Sequence, residues 1–249
     1  MARAAVPGRL SWQLADVVAS IEETPGVRTL VLDAPGWQGQ RAGQHVDVRL
    51  TAEDGYQAER SYSIASAPED PALALTVERL DDGEVSPYLV DELRPGDQLE
   101  LRGPIGGYFA WDAAAGGPLL LVGGGSGIVP LRAILRHRVA IGSDAEVRLI
   151  ASWRTADDII YAAELAQLGE LDGVEVVHTL TREAPTGWRG RRGRIDSAML
   201  AELAWPPAVS ALSFVCGPTG LVEAVATALV ELGDDPERIR TERFGPTGG

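Results

Sequence analysis

The sequence predicts two domains: an N-terminal antiparallel β-barrel over residues 1–112, and a C-terminal α/β domain over residues 113–249 built on a doubly wound parallel sheet. Two observations lead to this prediction. The first half of the chain contains short strands separated by turn signals, a pattern typical of a small closed barrel. The second half alternates apolar strands with helical stretches, which indicates βαβ units around a parallel sheet. A chain of 249 residues is long enough for two domains with cores of their own.

Six strands and one helix are predicted in the first half. The strands lie at residues 12–23, 27–35, 45–50, 60–66, 73–80 and 98–103. The helical stretch, residues 86–93, begins with Ser86 in the N-cap position and Pro87 at the first helical position. Both residue types favour a helix start at those positions.

The second half follows a flexible link at residues 113–118. Its first strand, "LLLVGG", is apolar throughout, as expected of a strand that is covered on both faces. The strands are predicted at residues 119–124, 146–152, 174–180, 212–217 and 238–243, and the helices at residues 130–140, 161–168, 196–203 and 221–232.

The composition excludes several classes of protein. The single cysteine, Cys216, allows neither an intramolecular disulfide nor a self-contained iron–sulfur cluster. The three histidines lack zinc-ligand spacing, so we expect no metal site. All 22 basic residues are arginine, and without lysine a P-loop and Schiff-base chemistry are unavailable. A net charge of −14 argues against nucleic-acid binding.

No segment predicts a membrane span or an export signal. The sequence has no apolar run of about 18 residues, the length that a membrane helix requires. Its first residues, "MARAAVPGRLSWQ", contain no apolar signal region. We therefore expect a cytoplasmic protein.

The stretch "ERSYSIAS" combines a cation, an aromatic ring and hydroxyl groups near a strand end. In a strand, alternate side chains point to the same face. Arg60 and Tyr62 would therefore share one face, with Ser61 and Ser63 on the other. The pattern allows either an ordinary strand end or a site for a flat, anionic ligand.

A glycine-rich turn follows the first strand of the second half. Gly125, Ser126, Gly127 and Pro130 fit the pattern GxGxxP between a strand and a helix. Glycines let backbone amides approach a pyrophosphate, and the helix N-terminus supplies positive potential. The alternative is a tight strand-to-helix turn with no ligand. The alternating strands and helices around it favour nucleotide binding.

Polar residues follow the next two strands at the edge where a doubly wound sheet meets the adenosine ribose. Ser152 and Arg154 follow one strand, and Arg182 follows the other. An arginine there can bind the 2′-phosphate of NADP, whereas an acidic residue favours NAD. The sequence therefore predicts NADPH, with NADH possible and a solvated surface as the alternative for each arginine.

Taken in order, these motifs resemble the ferredoxin–NADP reductase superfamily along nearly the whole chain. Residues 60–63 look like its RxYS flavin motif, and residues 83–86 like its GxxS phosphate motif. "GPIGGYF" resembles the end of its barrel, and residues 125–130 its dinucleotide turn. "VCGPTGLVEAV" resembles its nicotinamide element.

The resemblance implies a flavin site on the barrel. Arg60 would pair with the FAD pyrophosphate, Tyr62 would stack on the isoalloxazine, and Ser63 would lie near its N5 atom, with Ser61 part of the same motif. The ribityl and phosphate path would be lined by Val77, Glu78 and Arg79. The phosphate at the small helix would be held by Gly83, Val85 and Ser86. FAD is expected, although the sequence separates it only weakly from FMN.

The resemblance also implies a nicotinamide site. Ser126 and Gly127 would contact the NADP pyrophosphate. The residues implied beside the nicotinamide and at the flavin edge are Cys216, Gly217, Pro218, Glu242 and Phe244. Ser63, Cys216 and Glu242 are the implied catalytic residues.

We expect electrons to leave to a separate acceptor, such as a ferredoxin, a flavodoxin or an oxygenase component. Within the same fold, a reductase component of an oxygenase and a flavin or quinone reductase are alternatives. A flavin-bound subunit with an inactive nicotinamide site is a third. A dehydrogenase that binds NADP alone fits the RxYS stretch poorly. The acidic chain has one basic loop, which is either a solvated loop or a docking site for an acidic partner; its arginines are Arg189, Arg191, Arg192 and Arg194.

Overall fold

The computed structural model describes residues 10–244. The first half forms the predicted six antiparallel strands: β1 (Gln13–Thr24), β2 (Val27–Asp33), β3 (His45–Thr51), β4 (Gln57–Ser63), β5 (Leu73–Glu78) and β6 (Gln98–Ile105). They are hydrogen-bonded in the order β4-β3-β6-β1-β2-β5. A bridge between Ile64 and Leu75 joins the two edge strands and closes the barrel.

The barrel core comes from the inward side chains of these alternating strands. In β3, for example, Val46 and Val48 are fully buried, whereas Asp47 and Arg49 are not. The predicted helix over residues 86–93 is present as one π-helical turn, Tyr88–Glu92. Its start differs from the prediction, because Pro87 occupies the N-cap position. The hydroxyl of Ser86 accepts a hydrogen bond from Leu80 N at 3.0 Å.

The second half forms a parallel sheet in the order β10-β9-β8-β7-β11-β12. Its strands are β7 (Leu119–Gly124), β8 (Val147–Trp153), β9 (Val174–Leu180), β10 (Arg191–Arg192), β11 (Leu212–Pro218) and β12 (Ile239–Phe244). The helices are α1 (Ile128–Ala140), α2 (Ala162–Leu168), α3 (Ser197–Leu203) and α4 (Thr219–Glu231). Short 3₁₀ turns occur at Ala113–Ala115, Gly125–Gly127, Ala156–Asp158, Pro207–Val209 and Pro236–Arg238. The predicted two-domain fold class is confirmed.

The strand order reverses at β7, since β8 lies on one side of it and β11 on the other. In open α/β sheets, ligands bind at such a switch point, beyond the carboxyl ends of the strands. Some element bounds differ from the prediction, and α4 begins at Thr219 instead of at residue 221. The helix α1 begins at Ile128 instead of at Pro130, and β10 is a strand within the arginine-rich loop.

The two domains pack against each other through a shared apolar cluster. Phe109 and Trp111, which follow β6, belong to the cluster that covers one face of the second sheet. Phe109 meets Phe214 of β11 edge to face, with ring centroids 5.2 Å apart. The boundary near residue 113 stays a prediction. Across residues 10–244, none of the helices has the length and apolar character to cross a membrane.

Candidate functional site

Arg60, in the middle of β4, is already paired with a carboxylate of the same chain. Arg60 Nη2 donates to Glu84 Oε2 at 2.7 Å, and Tyr56 Oη donates to the other oxygen of that carboxylate at 2.8 Å. The hydrogen bond from Tyr56 is the largest cause, and that from Arg60 the next, of a pKa of Glu84 below its usual value. Arg60 and Glu84 are both about half exposed. A phosphate could therefore reach the guanidinium from solvent.

The next three residues divide between the two faces of the barrel wall. Tyr62 is half-buried and packs against the barrel core, and burial raises the pKa of its hydroxyl. Ser61 Oγ donates to Asp47 Oδ1 at 2.7 Å, so its hydroxyl is already hydrogen-bonded within the barrel wall. Ser63 ends the strand and lies opposite His45 in the β3–β4 register. Arg60 and Ser61 are exposed, and Tyr62 and Ser63 are partly exposed, so a ligand can reach each residue of the motif.

The predicted phosphate path is only partly accessible. Val77 is fully buried in the barrel core, so only its backbone can face a ligand. Arg79 Nε donates to Asp91 Oδ2 at 2.7 Å, and the guanidinium also pairs with Asp81. Glu78 points away from the barrel, and its Oε2 accepts from the amide of Ser126 at 3.3 Å. Glu78 therefore contacts the glycine turn of the other domain.

The GxxS segment forms a tight turn before the π-helical turn. Gly83 N donates to Leu80 O at 3.0 Å. A Cβ at Gly83 would lie 2.8 Å from Ser86 Oγ, so a side chain there would collide with the hydroxyl. Val85 is buried in the barrel core. Ser86 is buried too. Its hydroxyl oxygen accepts the hydrogen bond from Leu80 N, and this bond leaves the hydroxyl proton available to donate. The segment can therefore offer a hydroxyl and backbone amides to a ligand.

The glycine turn lies at the switch point of the second sheet. Gly125 has a φ of +54°, a conformation that glycine adopts without strain. A Cβ on Gly127 would lie 2.2 Å from the carbonyl oxygen of Cys216, so only glycine fits against β11. Pro130 lies in the first turn of α1, where a missing amide costs nothing. The turn therefore presents backbone amides at the start of a 13-residue helix.

The predicted nicotinamide element ends β11 beside this turn. Cys216 is buried, and burial together with the nearby Glu242 carboxylate raises the pKa of its thiol. Gly217 is also buried, whereas Pro218 is exposed at the strand end. Phe244 pairs with Pro218 in the strand register and packs against the apolar cluster of the domain interface. The thiol is therefore a buried, neutral group beside the glycine turn.

Glu242 connects the two domains. It pairs with Cys216 in the register of β11 and β12, and its Oε1 lies 3.5 Å from Nδ1 of His45 on the barrel. Its Oε2 is buried and has no hydrogen-bond partner. His45 has no role in the functional site predicted from the sequence, so this contact is a new finding. No spacing in the sequence relates His45 to Glu242, because the two residues meet only once the domains have packed together.

Three arginines lie at the carboxyl edge of β8, β9 and β10. Arg154 and Arg182 are exposed and adjacent, since Arg182 N donates to Arg154 O at 3.0 Å. Arg192, from the arginine-rich loop, is also exposed and pairs with Leu180 in the strand register. Ser152 is buried and pairs with Gly124 in the register of β7 and β8. The position of Arg192 at this edge was not predicted from the sequence.

Both predicted phosphate positions fit an anionic cofactor, because each holds a carboxylate of the chain itself. Glu84 accepts from one guanidinium nitrogen of Arg60, and Glu78 accepts from the amide of Ser126. The donor sets therefore suit the two pyrophosphates of FAD and a nicotinamide dinucleotide. Over residues 10–244, no cluster of three or more His, Cys, Asp or Glu side chains could hold a metal ion.

Comparison with known proteins agrees with this arrangement. A model of the oxidoreductase FAD-binding domain matches residues 16–110, and one of the oxidoreductase NAD-binding domain matches residues 121–227. Fold, site and models together define a flavoprotein oxidoreductase with a nicotinamide-dinucleotide domain. The chain belongs to the ferredoxin–NADP reductase superfamily, which confirms the resemblance seen in its motifs.

Three similar proteins illustrate the relationship. Ferredoxin–NADP reductase B of Sorangium cellulosum is 36% identical over 212 residues, which cover 82% of this chain and 84% of that protein. The glycine betaine monooxygenase reductase subunit of Pseudomonas aeruginosa is 34% identical over 92% of this chain, which spans only 63% of that protein's length. The structure of an Amycolatopsis cytochrome P450 reductase superimposes with a TM-score of 0.84, at 29% identity, over 98% of this chain and 72% of its own.

Proposed function

We propose that this chain takes electrons from a reduced nicotinamide dinucleotide, through FAD, to a separate electron carrier. One observation supports this function most directly: a series of contacts joins the flavin strand to the dinucleotide turn. Ser63 lies opposite His45, and His45 contacts Glu242 at 3.5 Å. Glu242 pairs with Cys216, whose carbonyl oxygen lies against Gly127. The two predicted cofactor sites are therefore connected by contacts that cross from one domain to the other.

In this proposal the residues of the chain orient the two cofactors and exclude water, and they do not react themselves. When bound, FAD would accept two electrons from the nicotinamide and release them one at a time. Ser63, Cys216 and Glu242 line the place where the two rings would meet, and Phe244 helps to exclude water there. Orientation and exclusion of water suffice for such a transfer.

We propose that NADPH is the preferred donor. The exposed guanidinium groups of Arg154 and Arg182 support this, and so does Arg192 at the same edge. Charge-assisted hydrogen bonds to a phosphate contribute about 1.5–3 kcal/mol each. We expect Arg154→Asp to lower the ratio of kcat/KM for NADPH over NADH by about tenfold or more. Arg41→Asp, on the barrel surface, is the control and is expected to leave the ratio unchanged. A wild-type preference for NADH would contradict this specificity.

We propose that the acceptor is a separate protein, either a ferredoxin or flavodoxin or a component of an oxygenase. Relatives carry names of the second kind: a glycine betaine monooxygenase reductase subunit, an aromatic O-demethylase reductase subunit and a naphthalene 1,2-dioxygenase reductase component. The single cysteine of this chain leaves no cluster of its own to carry single electrons. A cytoplasmic location is part of the same proposal.

The arginine-rich loop is better explained as part of the nucleotide edge than as a docking site. Arg192 lies beside β9, and Arg191 pairs with Glu202 of α3 at 2.7 Å. If the loop docked an acidic partner, the quadruple Ala variant of its arginines would reduce a ferredoxin more slowly and with a weaker salt dependence. We instead expect that variant to lose affinity for NADPH.

The experiment for the proposed function is an acceptor screen with the purified protein loaded with FAD. NADPH-dependent reduction of a ferredoxin, a flavodoxin or an oxygenase component would support it. Reduction of free flavin or quinone alone would support the flavin or quinone reductase alternative. Failure of every acceptor, with a flavin that NADPH does not reduce, would favour the subunit with an inactive nicotinamide site.

A further inference from the structure

Tyr161 stands out among the residues that neither predicted cofactor site uses. It directly precedes α2 and has a left-handed backbone, with a φ of 60° and a ψ of 31°. Its side chain is buried, with only 5% of its surface exposed. A bulky residue adopts this conformation rarely, and it persists only where the surrounding structure holds it.

The hydroxyl of Tyr161 begins a hydrogen-bond chain that enters the barrel. Tyr161 Oη donates to Thr76 Oγ1 on β5. Thr76 Oγ1 lies 2.7 Å from Thr29 Oγ1 on β2, and Thr29 donates to Glu23 Oε1 at 2.7 Å. A carboxylate only accepts, so every hydroxyl in the chain donates in the direction from Tyr161 to Glu23. Burial raises the pKa of Tyr161 to about 12, so this hydroxyl stays protonated well into the alkaline range.

Arg132 of α1 reinforces the same junction. Its guanidinium lies 4.2 Å from the centroid of the Tyr161 ring, a cation–π contact. Its Nη1 donates to the carbonyl oxygen of Ala65 at 3.1 Å, and its Nε donates to Glu164 of α2 at 2.7 Å. Ala65 follows Ser63 by two residues. Arg132 therefore holds the segment that directly follows the predicted flavin strand, β4.

We propose that Tyr161 is a positioning residue that fixes the orientation of the α/β domain on the barrel, and thereby the approach of the nicotinamide to the flavin. The inference rests on the proposed function. The contacts Ser126–Glu78 and His45–Glu242 involve groups that cofactor binding would rearrange. Tyr161 and Thr76 are buried, and neither belongs to the predicted cofactor residues. Their contact is therefore independent of the cofactors.

The test compares Tyr161→Phe, Thr76→Val and the double variant with wild type. Trp205→Phe is the control, because Trp205 Nε1 donates to Leu119 O at 3.3 Å within the α/β domain, at the amino end of β7 and away from both predicted cofactor sites. Reduction of bound FAD by NADPH is followed in a single anaerobic turnover, together with the affinities for both cofactors. Hydrogen exchange of the cofactor-free proteins reports on the domain junction itself.

Each single variant is expected to slow flavin reduction about tenfold, with cofactor affinities within about twofold of wild type. The double variant is expected to be no slower than the single variants, since the two hydroxyls form one contact. Without cofactors, Tyr161→Phe is expected to raise exchange at Ala65 and in β5. Trp205→Phe is expected to change exchange only within the α/β domain and to leave the reduction rate unchanged.

Two results would overturn the proposal: a wild-type reduction rate in Tyr161→Phe, or slowing in the double variant equal to the product of the two single effects. If wild type itself were not reduced by NADPH, the proposed function would fail. The exchange measurement would then still decide whether Tyr161 holds the domains together. Unchanged exchange at Ala65 and in β5 of Tyr161→Phe would show that it does not.

Discussion

Arg60 Nη2 lies 2.7 Å from Glu84 Oε2, so the cation predicted to hold the FAD pyrophosphate is paired with a carboxylate of the neighbouring GxxS segment. When FAD binds, its phosphates must either share the Arg60 guanidinium with Glu84 or displace the Glu84 carboxylate from it. We expect Glu84→Gln to bind FAD about fivefold more tightly, because it removes a negative charge next to the phosphates. Arg60→Ala is expected to weaken FAD binding about tenfold or more.

Titration of the cofactor-free protein with FAD, followed by flavin fluorescence, measures both effects. Glu22→Gln is the matched control, since Glu22 forms an exposed pair with Arg28 at 3.2 Å elsewhere on the barrel. It is expected to leave FAD affinity unchanged. Weaker FAD binding by Glu84→Gln would show that the carboxylate helps to build the site.

Tyr62 is predicted to stack on the flavin ring. Tyr62→Ala is expected to weaken FAD retention about tenfold, whereas Tyr62→Phe keeps the ring and is expected to retain FAD. Because Tyr62 also packs against the barrel core, thermal unfolding of both variants separates lost stacking from lost stability. Full FAD occupancy and unchanged reduction in Tyr62→Ala would remove this residue from the site.

Gly127 approaches β11 so closely that its substitution tests the dinucleotide turn. A Cβ there would lie 2.2 Å from the carbonyl oxygen of Cys216, so we expect Gly127→Ala to lose about 3 kcal/mol of stability and most NADPH affinity. FAD binding is expected to persist. Gly220 in α4 has no atom within 4 Å of its Cβ position, and Gly220→Ala is expected to gain about 0.5 kcal/mol. Calorimetry and NADPH titration compare the two, and equal behaviour would contradict the close packing.

Cys216 provides a prediction about pH, because burial and then Glu242 raise the pKa of its thiol. The native thiol keeps its proton at a pH where the unfolded chain has lost it. The stability that this group contributes is therefore complete below the unfolded pKa of about 8.5 and falls as the pH rises above it.

Urea unfolding at pH 8 and pH 10 measures this fall. In Cys216→Ala, the fall in the free energy of unfolding between these two pH values is expected to be smaller, by up to about 1.4 kcal/mol per pH unit. As the chain has a single cysteine, a thiol reagent reports on this site alone. Rapid labelling of the native protein at pH 8 would show that the thiol is accessible and would contradict its burial.

Much of the fold follows from local patterns. Alternating strands such as β3 and the apolar strand β7 were predicted within a few residues of their observed ends, because their periodicity reflects which faces are buried. The strand β10 was missed because two exposed arginines carry no such pattern. Ser86 was placed as a helix cap, but its hydroxyl instead accepts from Leu80, a choice that local propensity does not determine.

The candidate site was predictable where a motif is contiguous in sequence, as at Arg60–Ser63 and Gly125–Pro130. Contacts between distant segments were not. His45 meets Glu242, and Tyr161 meets Thr76, only after the two domains have packed together. No periodicity or spacing within one segment encodes either pair.

The central claim is that NADPH reduces an FAD held between the two domains. The most direct measurement mixes FAD-loaded protein with NADPH in the absence of oxygen and follows the visible absorbance of the flavin. We predict that the bound flavin is bleached within one turnover and that its colour returns when an acceptor protein is added. A protein that retains no FAD, or an FAD that stays oxidised with both NADPH and NADH, would contradict it.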